Sequence, residues 1–124
     1  MGYRSDVALA FYCKNVGNNF NTLEDWVKSR LENEMEFCKE FEKGTTKGFV
    51  FNWEWVKWYD EDEDVQRVDK AIDEFNETFC KPVDTEFMYE FVRIGEEDTD
   101  VEKRESNTAE WFLSVSRKIT FCDF

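Results

Sequence analysis

Apolar and polar positions along Tyr3–Cys13 alternate. Tyr3, Val7, Leu9 and Phe11 fall on one side, and Arg4, Asp6, Ala8 and Ala10 on the other. A period of two predicts a half-buried strand. The polar stretch NVGNNFN then reads as a loop. Asn21 followed three residues later by Glu24 is a helix start. Leu23, Trp26, Val27, Leu31, Met35, Cys38 and Phe41 recur at helical spacing and predict a helix over 22–42, with Gly44 as its stop. GFVFNWEWVKWY alternates again. It puts Phe49, Phe51, Trp53 and Trp55 on one face, and Asn52, Glu54 and Trp58 on the other. Val65, Val68, Ile72, Phe75 and Phe79 mark a second amphipathic helix over 62–79, closed by Pro82. Thr85–Ile94 and Glu110–Phe121 predict a third and a fourth strand, joined by the acidic loop GEEDTDVEKRESN.

The order β-α-β-α-β-β predicts a single α/β (α+β) domain over residues 1–124. In this reading each helix crosses between neighbouring parallel strands, and the last two strands form a hairpin. Two helices cover one sheet face, so the expected fold is a two-layer sandwich of four main strands. Both helices lie on one face, and the other face is partly open. The expected core includes Val7, Leu9, Trp26, Leu31, Phe51, Trp53, Val68, Ile72, Phe75, Phe91 and Val115.

Composition makes the core credible and narrows the chemistry. Aromatic residues make up 18% of the 124 positions, ample for a packed interior despite 36% charge. There is no histidine, which closes Ser-His and Cys-His nucleophile pairs, histidine metal sites and the usual base near neutral pH. Cys13, Cys38, Cys80 and Cys122 are widely spaced, with no C-x-x-C pair. With no signal segment at Met1–Tyr12 and no apolar run long enough for a membrane span, they read as reduced thiols of a cytoplasmic protein.

The net charge of −13 is concentrated, with 18 acids against 6 bases in residues 60–105. Such a field repels nucleic acid and anionic lipid and attracts basic protein surfaces. Its densest part is WYDEDEDV. Asp60, Asp62 and Asp64 have the first spacings of a calcium loop, but Val65 stands where glycine is needed and Ala71 where glutamate is needed. The similar run from Asp98 through Asp100 and Glu102 fails at Lys103 and Ala109. One or two acids can serve the start of the second helix, by capping or by opposing its dipole. Five in a row exceed that need and repel one another. Arg4, Asp6, Arg93 and Arg117 at strand ends read as an ion-pair network, and no nucleophile or phosphate loop accompanies them. No catalytic residue, metal ligand or cofactor is expected. The expected partner-binding surface is Trp58, Tyr59, Asp60, Glu61, Asp62, Glu63 and Asp64 together with Glu96, Glu97, Asp98 and Asp100. The two runs would meet at one end of the sheet.

Four segments also carry a likeness: YRSDVALAFY, FNWEWVKWYDEDEDV, YEFVRIGEEDTDVE and WFLSVSRKI. In this order they resemble a family of small, mostly uncharacterised tailed-bacteriophage proteins. These open on Y-R-S-D-V and later carry an R-I-G-E-E turn and a V-S-R strand. The resemblance implies a phage accessory protein of the host cytoplasm. Its expected partner is the basic surface of a bacterial host or defence protein, a CRISPR effector being one setting, with no direct contact to nucleic acid or membrane. The expected action is inhibition or redirection of that protein, for instance by occupying its nucleic-acid-binding surface. The alternatives are a metal-dependent enzyme using clustered carboxylates and a non-inhibitory assembly module.

Overall fold

The structure is a computed structural model that describes residues 3–14, 16–81, 86–97, 99–107, 109–110, 112–115 and 119–121. Its elements run β1 (Ser5–Lys14), α1 (Asn18–Arg30), a 3-10 segment (Glu32–Phe37), β2 (Cys38–Lys43), β3 (Thr46–Val56) and α2 (Glu63–Phe75). A π turn (Asn76–Cys80), β4 (Phe87–Ile94), β5 (Val101–Glu105), β6 (Leu113–Val115) and β7 (Ile119–Phe121) follow. The main sheet has five strands in the order β2-β3-β1-β4-β5, and β6 pairs with β7 in a second, two-stranded sheet. The fold is therefore α+β, with an antiparallel main sheet.

Three expectations are corrected by this topology. The expected helix over 22–42 stops at Arg30, and Cys38–Lys43 is a strand. Spacings of three suit a helix, but they also suit a strand covered on both faces. Cys38 packs against the helical side, while Phe41 is buried on the other. Gly44, expected to end a helix, is at φ 61° in the two-residue turn between β2 and β3, where positive φ is required. The acidic connection expected after Ile94 contains β5. It escapes an apolar pattern because its pairing is between charges, with Glu102 opposite Arg93 and a 3.2 Å ion pair between them. Edge strands are commonly charged in this way, which keeps them from pairing with other chains. Pro82, expected to close the second helix, lies outside the described residues.

The strands expected to be parallel neighbours are instead separated. β3 and β4 are each antiparallel to β1 and lie on either side of it. They therefore run the same way, and α2 crosses over β1 to connect them. Residues of both helices join one cluster with Val7, Leu9, Phe11 and Cys13 of β1 and with Phe49, Phe51, Trp53, Tyr89 and Phe91. α2 buries Val65, Val68, Ala71, Ile72 and Phe75, the stripe that its periodicity predicts. Phe11 sits at the middle of this layer, 4.7 Å from the Phe75 ring and 5.4 Å from that of Trp26. Trp26 is half-buried rather than fully enclosed, and the side chain of Val115 lies outside the described residues.

The opposite sheet face is closed over β1 and β4 by a third layer. Ala8, Ala10 and Tyr12 are buried there with Phe41, Met88, Val92, Phe112 and Leu113. The small alanines let the incoming segment approach the sheet closely. Glu90, on the face expected to be partly open, is 1% exposed. Its carboxylate accepts the Tyr12 hydroxyl and the backbone N–H groups of Phe112 (3.0 Å) and Leu113 (2.9 Å). The Tyr12 oxygen in turn accepts the Glu110 N–H at 2.7 Å. Burial and the adjoining Glu90 carboxylate hold the Tyr12 phenol far above its ordinary pKa. The open part of this face lies over β2 and β3, where Phe41, Val50, Asn52 and Glu54 line a groove of about 690 Å³.

Cys13, Cys38 and Cys80 are free thiols, and Cys122 lies outside the described residues. Burial pushes them up to about 11, 12 and 12 respectively, so they are protonated and unreactive at neutral pH.

Two variants measure the two sides of the sheet. Phe75→Ala opens a cavity in the helical layer and should lower the unfolding free energy by about 3–5 kcal/mol in urea titrations. Tyr12→Phe removes a donor from Glu90 and an acceptor from Glu110, and should cost about 1–3 kcal/mol. A loss well below these ranges would show that the ring or the hydroxyl does not bear on stability.

Candidate functional site: the acidic end of the sheet

The ends of β3 and β4 flank the start of β1. Ser5 pairs with Val56 on one side, and Asp6 pairs with Ile94 on the other. The loop carrying Asp60–Asp64 and the turn carrying Glu96–Asp100 therefore leave the same end of the sheet. Parallel direction is what brings them there, although the two strands are not neighbours. Asp98 lies outside the described residues.

The carboxylates divide into two groups by what they touch. Asp100 is a structural staple. Its oxygens take two hydrogen bonds from Arg93, at 2.7 and 3.2 Å, and one from the Tyr3 hydroxyl at 2.6 Å. Arg93 first, and Tyr3 after it, hold the Asp100 carboxyl at about 2, below the usual carboxylate range. A Cβ at Gly95 would run into this carboxylate and the Tyr3 hydroxyl, so the turn requires glycine. Glu96 accepts the backbone N–H of Arg4 at 2.7 Å. Asp64 pairs with Arg67 at 3.0 Å. The side chains of Asp60, Glu61, Asp62, Glu63 and Glu97 make no hydrogen bond or ion pair among the described residues. Asp62 is the N-cap residue of α2, but its side chain makes no capping bond. The expected side-chain capping role of this run is thus not taken up.

More acids belong to this end than the sequence pattern indicates. Asp60, Asp73 of α2 and Glu102 of β5 lie near Asp69 of α2. Arg104 bonds Asp73 at 2.7 Å and lies 3.5 Å from Asp69. Burial pushes the Asp69 carboxyl up, Arg104 opposes the shift, and Glu102, Asp60 and Asp73 add to it. The charged composition that made β5 look like a loop concealed this grouping. The expected strand-end ion network is present around Arg93. Asp6 and Arg4 instead hold the backbone of Trp55, and Arg117 lies outside the described residues.

Trp55 is the residue that alternation misplaces. It was expected in the core with Phe51 and Trp53, but it is 59% exposed. Between the pairs Ser5–Val56 and Val7–Trp53, β3 has two residues where β1 has only Asp6. This bulge turns Trp55 outward, with φ at 52°, a conformation unusual for an aromatic residue. Its N–H donates to Asp6 Oδ1 at 2.8 Å, and its carbonyl accepts Arg4 Nη1 at 3.4 Å. The available signal was crowding, with Phe49, Phe51, Trp53 and Trp55 all assigned to one strand face.

Trp58 and Tyr59 are half-buried. Trp58 packs 5.2 Å from Trp53 and 6.4 Å from Phe91, so it belongs partly to the core. Beside it opens a cleft of about 430 Å³, between the 3-10 segment, the end of β3 and the start of α2. Phe37, Trp53, Trp58, Val65 and Val68 give it apolar walls, and Glu34, Lys57, Asp62, Glu63 and Asp64 supply its charges. Glu34 is 5% exposed and accepts the Trp53 Nε1–H at 3.3 Å. Burial pushes its carboxyl above the ordinary range, and the Trp53 bond opposes that shift. Among the described residues, no three Cys, Asp or Glu side chains stand where one metal ion could be held. Nor is any helix long and apolar enough to cross a membrane. This end of the sheet thus sets carboxylates without side-chain partners among the described residues beside aromatic surface.

The Asp100 staple sets a pH dependence. Its folded pKa lies below the ordinary 3.8, so its contribution to stability is full above that value and disappears as pH falls through about 2. Asp100→Asn should be less stable than the parent at pH 6, and the difference should shrink steadily between pH 4 and 2. Denaturant titrations across that window check this, and a difference independent of pH would remove the staple from the account.

No family model, curated protein or solved structure matches the chain.

Proposed function

We propose that this is a phage-encoded acidic protein that binds a bacterial host protein and inhibits or redirects it by occupying a basic, nucleic-acid-binding surface. A defence factor such as a CRISPR effector is the favoured kind of target, met in the host cytoplasm. The protein acts by binding and not as an enzyme. The phage origin rests on the four-segment resemblance, and the binding reading rests on the acidic end of the sheet.

The observation that carries the reading is the run Asp60–Glu63. Its four adjacent carboxylates have no partner among the described residues. Like charges held together oppose folding, and although Glu63 lies in the first turn of α2, none of these four side chains makes a hydrogen bond or ion pair among the described residues. A basic partner would relieve that repulsion. DNA presents about one charge per 1.7 Å of axis, so a protein that binds it carries a matching basic surface that such a lobe can occupy. Trp55 adds a large exposed ring held by a strained backbone, and tryptophan is enriched among residues that dominate binding energy.

The test begins by identifying proteins retained by the tagged chain in host cells, followed by titration with the purified partner. Affinity should fall steeply with salt. The double reversal Asp62→Lys with Glu97→Lys should weaken binding at least about tenfold and flatten the salt dependence, with unfolding unchanged. Trp55→Ala should cost about 2 kcal/mol of binding. If binding and its salt dependence survive both changes, the acidic end serves solubility and the contact lies elsewhere, the groove beside Glu54 being next to test.

A further inference from the structure

The cleft between the 3-10 segment and α2 has more definition than a charged surface needs. We propose that it is an anchoring site for one cationic side chain of the partner, an arginine guanidinium by preference. This inference rests on the binding reading above and names the group that is recognised.

Three properties of the cleft converge on that chemistry. Its volume of about 430 Å³ lies within the range of ligand-binding clefts, about 300–1,000 Å³. Its walls include the Trp53 and Trp58 rings, 5.2 Å apart, and aromatic faces attract guanidinium groups. Four acids, Glu34, Asp62, Glu63 and Asp64, face a single lysine, Lys57, among the lining residues. An anion would be repelled. A neutral apolar group would strip water from the carboxylates and return no counter-charge. A metal ion would need three converging ligands, which the described residues do not provide. An organic cation satisfies both the rings and the rim.

The chain itself contains the same pairing. Arg67 Nη1 stands 3.0 Å from Asp64 and 3.6 Å from Glu34. Arg67 satisfies the inner side of this acid group, whereas Asp62 and Glu63 have no such partner among the described residues. A protein is favoured over a free amine as the source of the cation. Asp60 and Glu61 continue the unpaired run beyond the cleft, and only a chain with further basic residues would answer them as well.

The test uses the full chain and defined probes, and needs no identified partner. Blocked arginine (the N-acetyl, N-methylamide form) is titrated at fixed ionic strength while indole N–H resonances are followed by NMR. Blocked citrulline, neutral and of similar shape, is the control. Arginine should shift the Trp53 and Trp58 signals saturably and leave Trp55 in place, and citrulline should do neither. Asp62→Asn with Glu63→Gln should weaken the arginine response several-fold, with thermal unfolding unchanged. A peptide with that arginine flanked by lysines should bind at least about tenfold tighter than blocked arginine. Equal responses to arginine and citrulline, or shifts at all indoles alike, would overturn the site. Arginine binding with no gain from the flanking lysines would overturn the protein as its source. A silent cleft combined with partner binding that still depends on Glu97 would remove this inference and keep the binding reading. A responsive cleft with partner binding indifferent to charge reversal would overturn both the acidic contact and the cleft's role as the partner's anchor.

Discussion

A carboxylate buried inside a sheet must be answered by donors, and Glu90 is answered by three. The Tyr12 hydroxyl comes from the neighbouring strand, and the N–H groups of Phe112 and Leu113 come from the C-terminal segment. A charged or polar group left bare at 1% exposure would cost several kcal/mol, so the segment that supplies those N–H groups is held in one position. That position closes the face over β1 and β4. It makes Ala8 and Ala10 interior residues and turns β1 into a strand buried on both sides. One limit of the arrangement is visible on β5. Glu105 pairs directly with Glu90 and so faces the same side, and its Oε2 atom is buried without a hydrogen-bond partner.

The two layers divide the labour. The helical layer is aromatic and carries most of the packing, with Phe11, Phe51, Phe75 and Trp53 in contact around β1. The C-terminal layer is thinner and held by polar bonds. With both layers anchored on β1 and β4, the ends of β3 and β4 remain free to carry the acids and Trp55. The Arg93–Asp100–Tyr3 staple keeps one acidic turn rigid, and Asp6 and Arg4 fix the bulge on the other side. A surface of excess negative charge is thus mounted on connections bonded at both flanks, which would limit the entropy lost in the proposed binding.

Much of this was legible from residue order because its cause is local. The stripe Val65–Val68–Ile72–Phe75 has helical period, and the alternation in Tyr3–Cys13 locates β1, though not the burial of its second face. That the two acidic runs leave the same end of the sheet was also legible, since strands joined by a crossover helix tend to run the same way. What was hidden depends on distant residues. The fate of Cys38–Lys43 turns on a second covered face. Val101–Glu105 becomes a strand through charges on β4 and α2. Trp55 is displaced by one extra residue relative to β1, and alternation has no means of registering it. Glu90 looked like a surface acid until the segment that bonds it was in place.

The central position of β1 has a consequence for synthesis. This strand leaves the ribosome before both of its neighbours, β3 and β4, and its opposite face is covered by the still later Phe112 and Leu113. Until β4 has emerged, one whole edge of an apolar ten-residue strand has no native partner. Pairing of this kind is non-local and slow, and unpaired apolar strands are prone to associate between chains. The acids of residues 60–77 are made before β4, and their like charge opposes association between copies while the sheet is incomplete.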